Sequence, residues 1–185
     1  MKIDVGRLVQ RSVASLYSNL ITRPTGRAVR LAIESQLAEE GDTAFSLIDL
    51  SQVTILDFSC ADEVVAKLLQ RYLGEDRPGD AFFVFRGVKA PHRDPIETVL
   101  RRQGLAAVAQ GEDGVFELLG TLTEGEVRVW AVVEESGRVA QRDVSVLLPE
   151  PAQRHALEEL VRRRLVFRAP STGEVHALSR LVRDL

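Results

Sequence analysis

Apolar positions along the first 119 residues follow two spacings. Nearly continuous apolar runs predict strands that are buried on both faces, and apolar residues three or four apart predict helices. The predicted strands are 45–50, 81–88 and 105–109, and the predicted helices are 27–40, 59–73, 95–103 and 114–122. Residues 5–21 have helical spacing, with a strand as the alternative. This alternation favours an α/β fold with a parallel or mixed sheet flanked by helices.

The pattern changes after Gly120. An amphipathic helix is predicted over 123–136, with Thr121 or Thr123 as its cap and Gly137 as its end. A shorter helix at 141–149 and a third at 149–164, opened by Pro151, follow it. Two short strands around 170–173 predict a hairpin. We therefore expect two domains, 1–119 and 120–185, the second a small winged helix-turn-helix.

Composition narrows the function classes. The chain has 185 residues, 45% hydrophobic and 28% charged, with a net charge of −3, so no overall basic field attracts nucleic acid or anionic membranes. Cys60 is the single cysteine, which fits a reducing cytosol and predicts a cytoplasmic protein. One thiol is too few for a metal cage, and we expect no metal and no other cofactor. Neither a secretion signal nor an apolar run long enough to span a membrane is evident, so no membrane partner is expected.

Two segments carry a resemblance to a known family. The run FSLIDLSQVTILDFSCADEVVAKLL, followed by DPIETVLRRQGLAAVAQGEDGVFELL, resembles the STAS-like domain of anti-sigma-factor antagonists and related modules. The matching pieces are 49–51, 57–59 and 100–105, within a resemblance that covers about residues 25–119. The resemblance implies signalling by protein–protein recognition, with a regulator or a kinase-like ATPase as partner. Over 121–185 the tail resembles a winged helix, including the wing LV.R...TGE...LSRL.

The stretch ILDFSCADEVV raises the question of what Ser59 does. Antagonists of this family carry a phosphorylatable serine directly after the aspartate, whereas here Phe58 follows Asp57. The favoured interpretation is that Ser59 caps its helix, with Asp62 completing a box-like start. The alternative is a phosphorylation switch, which Asp57, Asp62 and Glu63 would oppose by charge repulsion. Ser59, Asp57 and Asp62 are accordingly the predicted partner-binding or phosphorylation residues.

A third interpretation makes Ser59 a nucleophile. His92 and Asp94 follow the next strand, and the ends of parallel strands meet at one edge of a sheet. However, no glycine-flanked elbow holds Ser59 and nothing marks an oxyanion hole. No catalytic residue is therefore predicted, and a small hydrolase built on Ser59 and His92 ranks last.

Arginines supply the remaining candidates. Four of them are the predicted DNA contacts. Arg162, Arg163 and Arg168 cluster where the third tail helix meets the wing, and Arg154 lies near the start of that helix, the end that reaches base edges in helix-turn-helix proteins. Alternatively, they form a solvated face that pairs with Glu158 and Glu159. Near the start of the chain, Arg23 and Arg27 suggest an anion site, although Thr25 as a cap and Pro24 as a turn residue explain that stretch without a ligand.

The sequence thus favours a cytosolic, non-enzymatic regulatory protein in which a STAS-like module is fused to a winged helix. A DNA-binding transcription regulator, whose first half senses a partner or forms a homodimer, is the alternative.

Overall fold

The computed structural model describes residues 1–5, 19–39, 43–183 and 185. These residues form two compact units, Met1–Thr121 and Leu122–Leu185, which are described separately. Most of the segment 5–21, with its predicted helix or strand, lies outside the described residues, as does Glu40, the last residue of the predicted helix 27–40. Within that segment Asn19–Leu20 forms a short strand.

A mostly parallel sheet forms the centre of the first unit. Its strands are β1 (Lys2–Asp4), β3 (Thr43–Asp49), β5 (Asp80–Val88), β6 (Ala106–Gly111) and β7 (Phe116–Gly120), in the order β1-β3-β5-β6-β7. All neighbouring pairs are parallel except β6 and β7. A separate parallel pair joins β2 (Asn19–Leu20) to β4 (Ile55–Leu56). Successive residues such as Leu47 and Ile48 are both buried, which confirms the prediction of strands covered on both faces.

The first helix, α1 (Arg23–Ala38), begins four residues before its predicted start. Thr22, and not Thr25, is its cap: the Thr22 side chain accepts a hydrogen bond from the Thr25 amide at 3.4 Å. Pro24 lies in the first turn, where a missing N–H costs nothing because the first amides of a helix have no intrahelical partner. Val29, Ile33 and Leu37 are buried, as the pattern predicts.

One continuous helix over residues 58–73, α2, changes its winding along its length. An α-helical start (Phe58–Ala61) leads into a π-helical turn (Asp62–Lys67), and the helix ends as α-helix (Leu68–Leu73). The apolar residues at helical spacing in this segment are buried and join the core formed with the sheet; they are Val64, Val65, Leu68 and Leu69. The sequence pattern contained no sign of the π-helical turn.

The helix predicted to begin near Pro95 starts earlier. The helix α3 is Ala90–Arg102, with Pro91 in its first turn and Pro95 inside it. The Lys89 amide donates to Nδ1 of His92 at 3.4 Å, which helps to organise this start. Because Pro95 has no amide hydrogen, it interrupts the backbone ladder inside the helix without ending it.

The predicted helix at 114–122 is wrong, because these residues form the strand β7. β6 and β7 are antiparallel, with Ala106 opposite Gly120 and Gln110 opposite Phe116. Gly114, at φ +81°, allows the tight turn between them. The apolar run that resembled one face of a helix instead adds an antiparallel strand to the sheet.

The second unit contains the predicted helices and hairpin. Its helices are α4 (Glu124–Ser136), α5 (Val144–Leu147), α6 (Pro151–Arg162) and α7 (Leu178–Leu181), with a short 3₁₀ turn at Gln141–Asp143. Thr123 caps α4, and Gly137 follows its end. The strands β9 (Val166–Arg168) and β10 (Val175–Ala177) form the hairpin, and β8 (Arg138–Val139), which was not predicted, pairs with β10. The order of this antiparallel sheet is β8-β10-β9.

Candidate functional site

Asp57 caps the start of α2. Its Oδ1 accepts a hydrogen bond from the Cys60 amide at 2.8 Å, and its backbone is extended. The Ser59 hydroxyl donates to the same carboxylate, at 2.9 Å from Oδ1 and 3.1 Å from Oδ2. The interpretation of Ser59 as the cap is therefore wrong. Ser59 already lies inside the first turn, from which its side chain reaches back to the residue that does cap the helix.

Close packing of α1 on α2 fixes this start in place. The Cys60 thiol donates to the Thr22 carbonyl at 3.0 Å, and the Asp57 amide donates to the Leu20 carbonyl at 2.9 Å. At Gly26 an added Cβ would lie 2.9 Å from the Cys60 Cα, so only glycine fits. Burial, assisted by the negative charge of Asp57, raises the pKa of the Cys60 thiol to about 12. This cysteine is thus a neutral packing residue and not a nucleophile.

Glu63, which is only 2% exposed, lies in the π-helical turn among three cations. Arg23 Nη1 is 3.1 Å from its Oε1, Arg30 Nε is 3.3 Å from its Oε2, and Lys67 Nζ also binds Oε1. Burial alone would raise the pKa of Glu63, but hydrogen bonds from Lys67 and Arg30 outweigh it and hold the pKa below its ordinary value. The carboxylate therefore remains charged and ties α1 to α2.

Asp62 binds Arg23, one of the two arginines of the predicted anion site. Arg23 Nη1 is 2.6 Å from Asp62 Oδ2, and Gln103 Nε2 donates to Asp62 Oδ1 at 2.7 Å. Arg23 is consequently bound to carboxylates of α2. Arg27 is exposed, and its side chain has no hydrogen bond or ion pair within the described residues. The structure does not bring Arg23 and Arg27 together as a free anion site.

Three large apolar side chains remain exposed around this helix start. Phe58 and Ile55 are each 46% exposed and Ile21 is 48% exposed. Ile21 directly follows β2, and Asp57 directly follows its parallel partner β4, so the two residues leave the strand pair side by side. We call Ile21, Ile55 and Phe58 the α2-start patch. Sequence reasoning missed it, because an apolar residue next to a strand is expected to be buried.

The residues of the proposed hydrolase are not assembled. His92 is fully buried; its Nδ1 accepts from the Lys89 amide, and its Nε2 has no hydrogen-bond partner in the described structure. Burial lowers the pKa of His92, which favours the neutral imidazole. Ser59 donates to Asp57 and, among the described residues, makes no hydrogen bond with His92; Asp94 is exposed. The geometry therefore places the Asp57 carboxylate, and not the His92 imidazole, beside the Ser59 hydroxyl.

The four arginines predicted to contact DNA all have partners within the second unit. Arg154 Nη1 donates to the carbonyls of Leu148 and Pro149 at 2.9 and 2.5 Å, at the end of α5. The other three bind carboxylates: Arg162 with Glu159, Arg163 with the buried Glu126, and Arg168 with Glu158 through two hydrogen bonds. The hydrogen bonds from Arg168 hold the pKa of Glu158 below its ordinary value. The alternative interpretation, pairing with Glu158 and Glu159, thus holds for Arg162 and Arg168 but not for Arg154 and Arg163.

The described residues contain no group of three or more histidine, cysteine or acidic side chains that could hold a metal ion. None of the helices in the described ranges is both long enough and apolar enough to cross a membrane. No protein-family model matches the chain, and neither a curated protein nor a solved structure was found to be significantly similar to it.

Proposed function

We propose that the chain is a cytosolic, non-enzymatic regulatory protein whose first unit recognises a partner protein through the α2-start patch. The observation that carries this proposal is the exposure of nearly half of Ile21, Ile55 and Phe58 beside a rigid helix start. Covering apolar surface of this kind yields about 25 cal/mol per Å². A partner that places an apolar side chain against Phe58 would gain affinity at this surface.

The rigidity of the helix start supports a binding role. Asp57 caps the helix, Cys60 is bonded to the Thr22 carbonyl, and Glu63 holds three cations from two helices. A surface whose supporting groups are already ordered loses little conformational entropy when a partner binds. Charge repulsion opposes phosphorylation of Ser59. A phosphate would replace the hydroxyl that now donates to Asp57 and would lie beside that carboxylate.

The sequence resemblance indicates which partner to look for. STAS-like modules act on regulators and kinase-like ATPases, and a parallel sheet flanked by helices, with a helix starting at Asp57, is compatible with such a module. We assign the first unit to this class as part of the proposal. A second copy of the chain is the alternative occupant of the patch.

Site-specific photo-crosslinking tests the proposal. A benzophenone amino acid in place of Phe58 is expected to capture a discrete protein in the native host, and the same substitution at Leu31 is the control. Leu31 lies on α1 and is 49% exposed, so it matches Phe58 in accessibility. The captured protein is then purified and its affinity for the two alanine variants is measured by calorimetry.

We expect Phe58→Ala to weaken binding by one to two orders of magnitude, since a buried aromatic contributes about 1.5–3 kcal/mol. Leu31→Ala should change the affinity less than about twofold. Equal effects of the two substitutions would refute recognition through the patch. A crosslinked product with the mass of two chains would indicate that a second copy of the chain, and not a different protein, occupies the patch.

DNA binding by the second unit is the second candidate. Two features support assigning a winged helix to this unit. The elements from α4 to β10 follow one another as helix, strand, helix, helix, strand, strand, and the sheet order is β8-β10-β9. The carboxylate partners of Arg162 and Arg168 weigh against a phosphate-binding surface. Fluorescence anisotropy with a short duplex separates the two candidates. A steep loss of affinity with salt that becomes shallower in Arg162→Ala would favour DNA binding, and the absence of saturable binding would favour the protein partner.

A further inference from the structure

A cavity lies where the parallel strands of the first unit end. Its volume is about 310 Å³, and its lining includes Ser51 after β3, Arg86 and Lys89 at the end of β5, and Gln110 and Glu112 at the end of β6. The carboxyl ends of parallel strands commonly carry ligand-binding residues in α/β proteins, and here residues that follow or end β3, β5 and β6 line one cavity together. The volume is at the small end of the range for ligand pockets, which suits a metabolite-sized molecule.

A bulge in β5 shapes this cavity. The pairing of β5 with β6 shifts between Arg86 and Val88, and Gly87 between them has φ +68°. A Cβ at Gly87 would lie 2.8 Å from the backbone of Ser51, so the loop after β3 packs directly against this glycine. Bulges of this kind reorient the neighbouring side chains and recur next to binding sites.

The opposite wall is a turn that is held by its own hydrogen bonds. Gln110 Nε2 donates to the Gly114 carbonyl at 3.0 Å, and the Val115 amide donates to Asp113 Oδ1 at 3.0 Å. The Gly111 amide also donates to the Val115 carbonyl at 3.0 Å. This wall is therefore ordered before any ligand binds.

The charges in the cavity favour an anion. Within the described part of the chain, no hydrogen bond or ion pair engages the Arg86 guanidinium, although Asp49 is its neighbour in the sheet register. Asp49 is bound instead by Lys2 Nζ at 3.1 Å and by the Ser51 amide at 2.9 Å. Lys89 adds a second positive charge, its Nζ being held by the Val53 carbonyl at 3.0 Å. Among the described residues of the lining, Glu112 is the one carboxylate.

We infer that this cavity binds a small molecule bearing an oxyanion, a carboxylate or a phosphate, through the guanidinium of Arg86. The planar fork of donors on arginine matches either group with two hydrogen bonds. This site is separate from the α2-start patch and gives the first unit a means of responding to a metabolite. Glu112 opposes a second negative charge, so the favoured ligand carries one anionic group at this position.

Titration by ¹⁵N NMR tests the inference, because glycine amides resonate apart from most others. Inorganic phosphate and acetate are the two probes, and sodium chloride at equal ionic strength is the blank. We expect saturable shifts at Gly87, Gly111 and Gly114, with Gly74 and Gly79, which precede β5 at its opposite end, unchanged. The probe that binds more tightly identifies the oxyanion.

Two arginine variants give the matched comparison. Arg86→Ala should weaken binding at least about tenfold, whereas Arg102→Ala, which removes an exposed arginine of α3 with the same change in charge, should leave it within about twofold. Glu112→Gln should tighten the binding. The inference would be overturned if neither probe caused shifts, if the shifts did not saturate, or if chloride reproduced them. An equal loss of binding in the two arginine variants would overturn it as well.

Discussion

The assignment of Asp57 as the cap of α2 leads to a quantitative prediction that separates it from Ser59. Asp57→Ala removes the acceptor of the Cys60 amide, which costs about 1 kcal/mol as the loss of a cap. It also removes the acceptor of the Ser59 hydroxyl, which costs about another 1 kcal/mol. The expected loss in the free energy of unfolding is therefore about 2 kcal/mol.

Ser59→Ala should cost about half of this or less, because the Asp57 carboxylate keeps its bond to the Cys60 amide. Asp57→Asn should stay close to the wild type, since asparagine caps helices as well as aspartate does. Glu75→Ala, at an exposed position in the turn after α2, is the control and should change stability by less than about 0.5 kcal/mol.

Urea unfolding followed by far-ultraviolet circular dichroism measures these differences. Because a chain of two units need not unfold in one step, fluorescence of Trp130, the single tryptophan, gives a separate readout of the Leu122–Leu185 unit. If Ser59→Ala proved more destabilising than Asp57→Ala, the hydroxyl would be the cap and the reasoning would fail.

Two further predictions concern packing and pH. Gly26→Ala should destabilise the first unit by about 1–2 kcal/mol in thermal melts, because the strain of the new methyl group against Cys60 exceeds the gain in helix propensity. The control Gly125→Ala, whose added Cβ would make only ordinary contacts, should be neutral or stabilising. Burial lowers the pKa of His92, so near pH 6.5 this histidine takes up a proton in the unfolded chain but not in the folded one. The free energy of unfolding should therefore fall as the pH drops below about 6.5. His92→Gln, which can still accept from the Lys89 amide, should lose that decline in urea titrations between pH 7 and pH 5, and an unchanged decline would refute the assignment.

Hydrophobic spacing was enough to predict most of the architecture. The buried strands and the inner face of α2 depend on local apolar runs, which the sequence displays directly. The helix predicted at 114–122 failed because FELL fits both spacings. The turn GEDG before it was a signal for a hairpin, and Gly114 does adopt the positive φ that such a turn needs.

The candidate site was harder to predict because its interactions join residues that are far apart in the sequence. The sequence showed that Ser59 lies near Asp57, but it could not decide which of them faces the first amides of α2. The buried Glu63 was predicted only as an acid that repels phosphate, since Arg23 and Arg30 approach it through the packing of α1 on α2. The spacing of Glu63 and Lys67 by four residues was the one local signal of this cluster.

The wide turn at Asp62–Lys67 has a consequence for how this surface could change during evolution. Each residue of an α-helix advances by about 100° around the axis. Deleting a residue from a regular helix would rotate Phe58 by roughly that angle relative to the carboxyl-terminal half, Leu68–Leu73. The wide turn, however, already holds one extra residue, so a deletion there restores regular winding and leaves the two halves of α2 facing nearly as before. A relative one residue shorter at this point would therefore keep the same anchor in the core and still expose Phe58 on the same side.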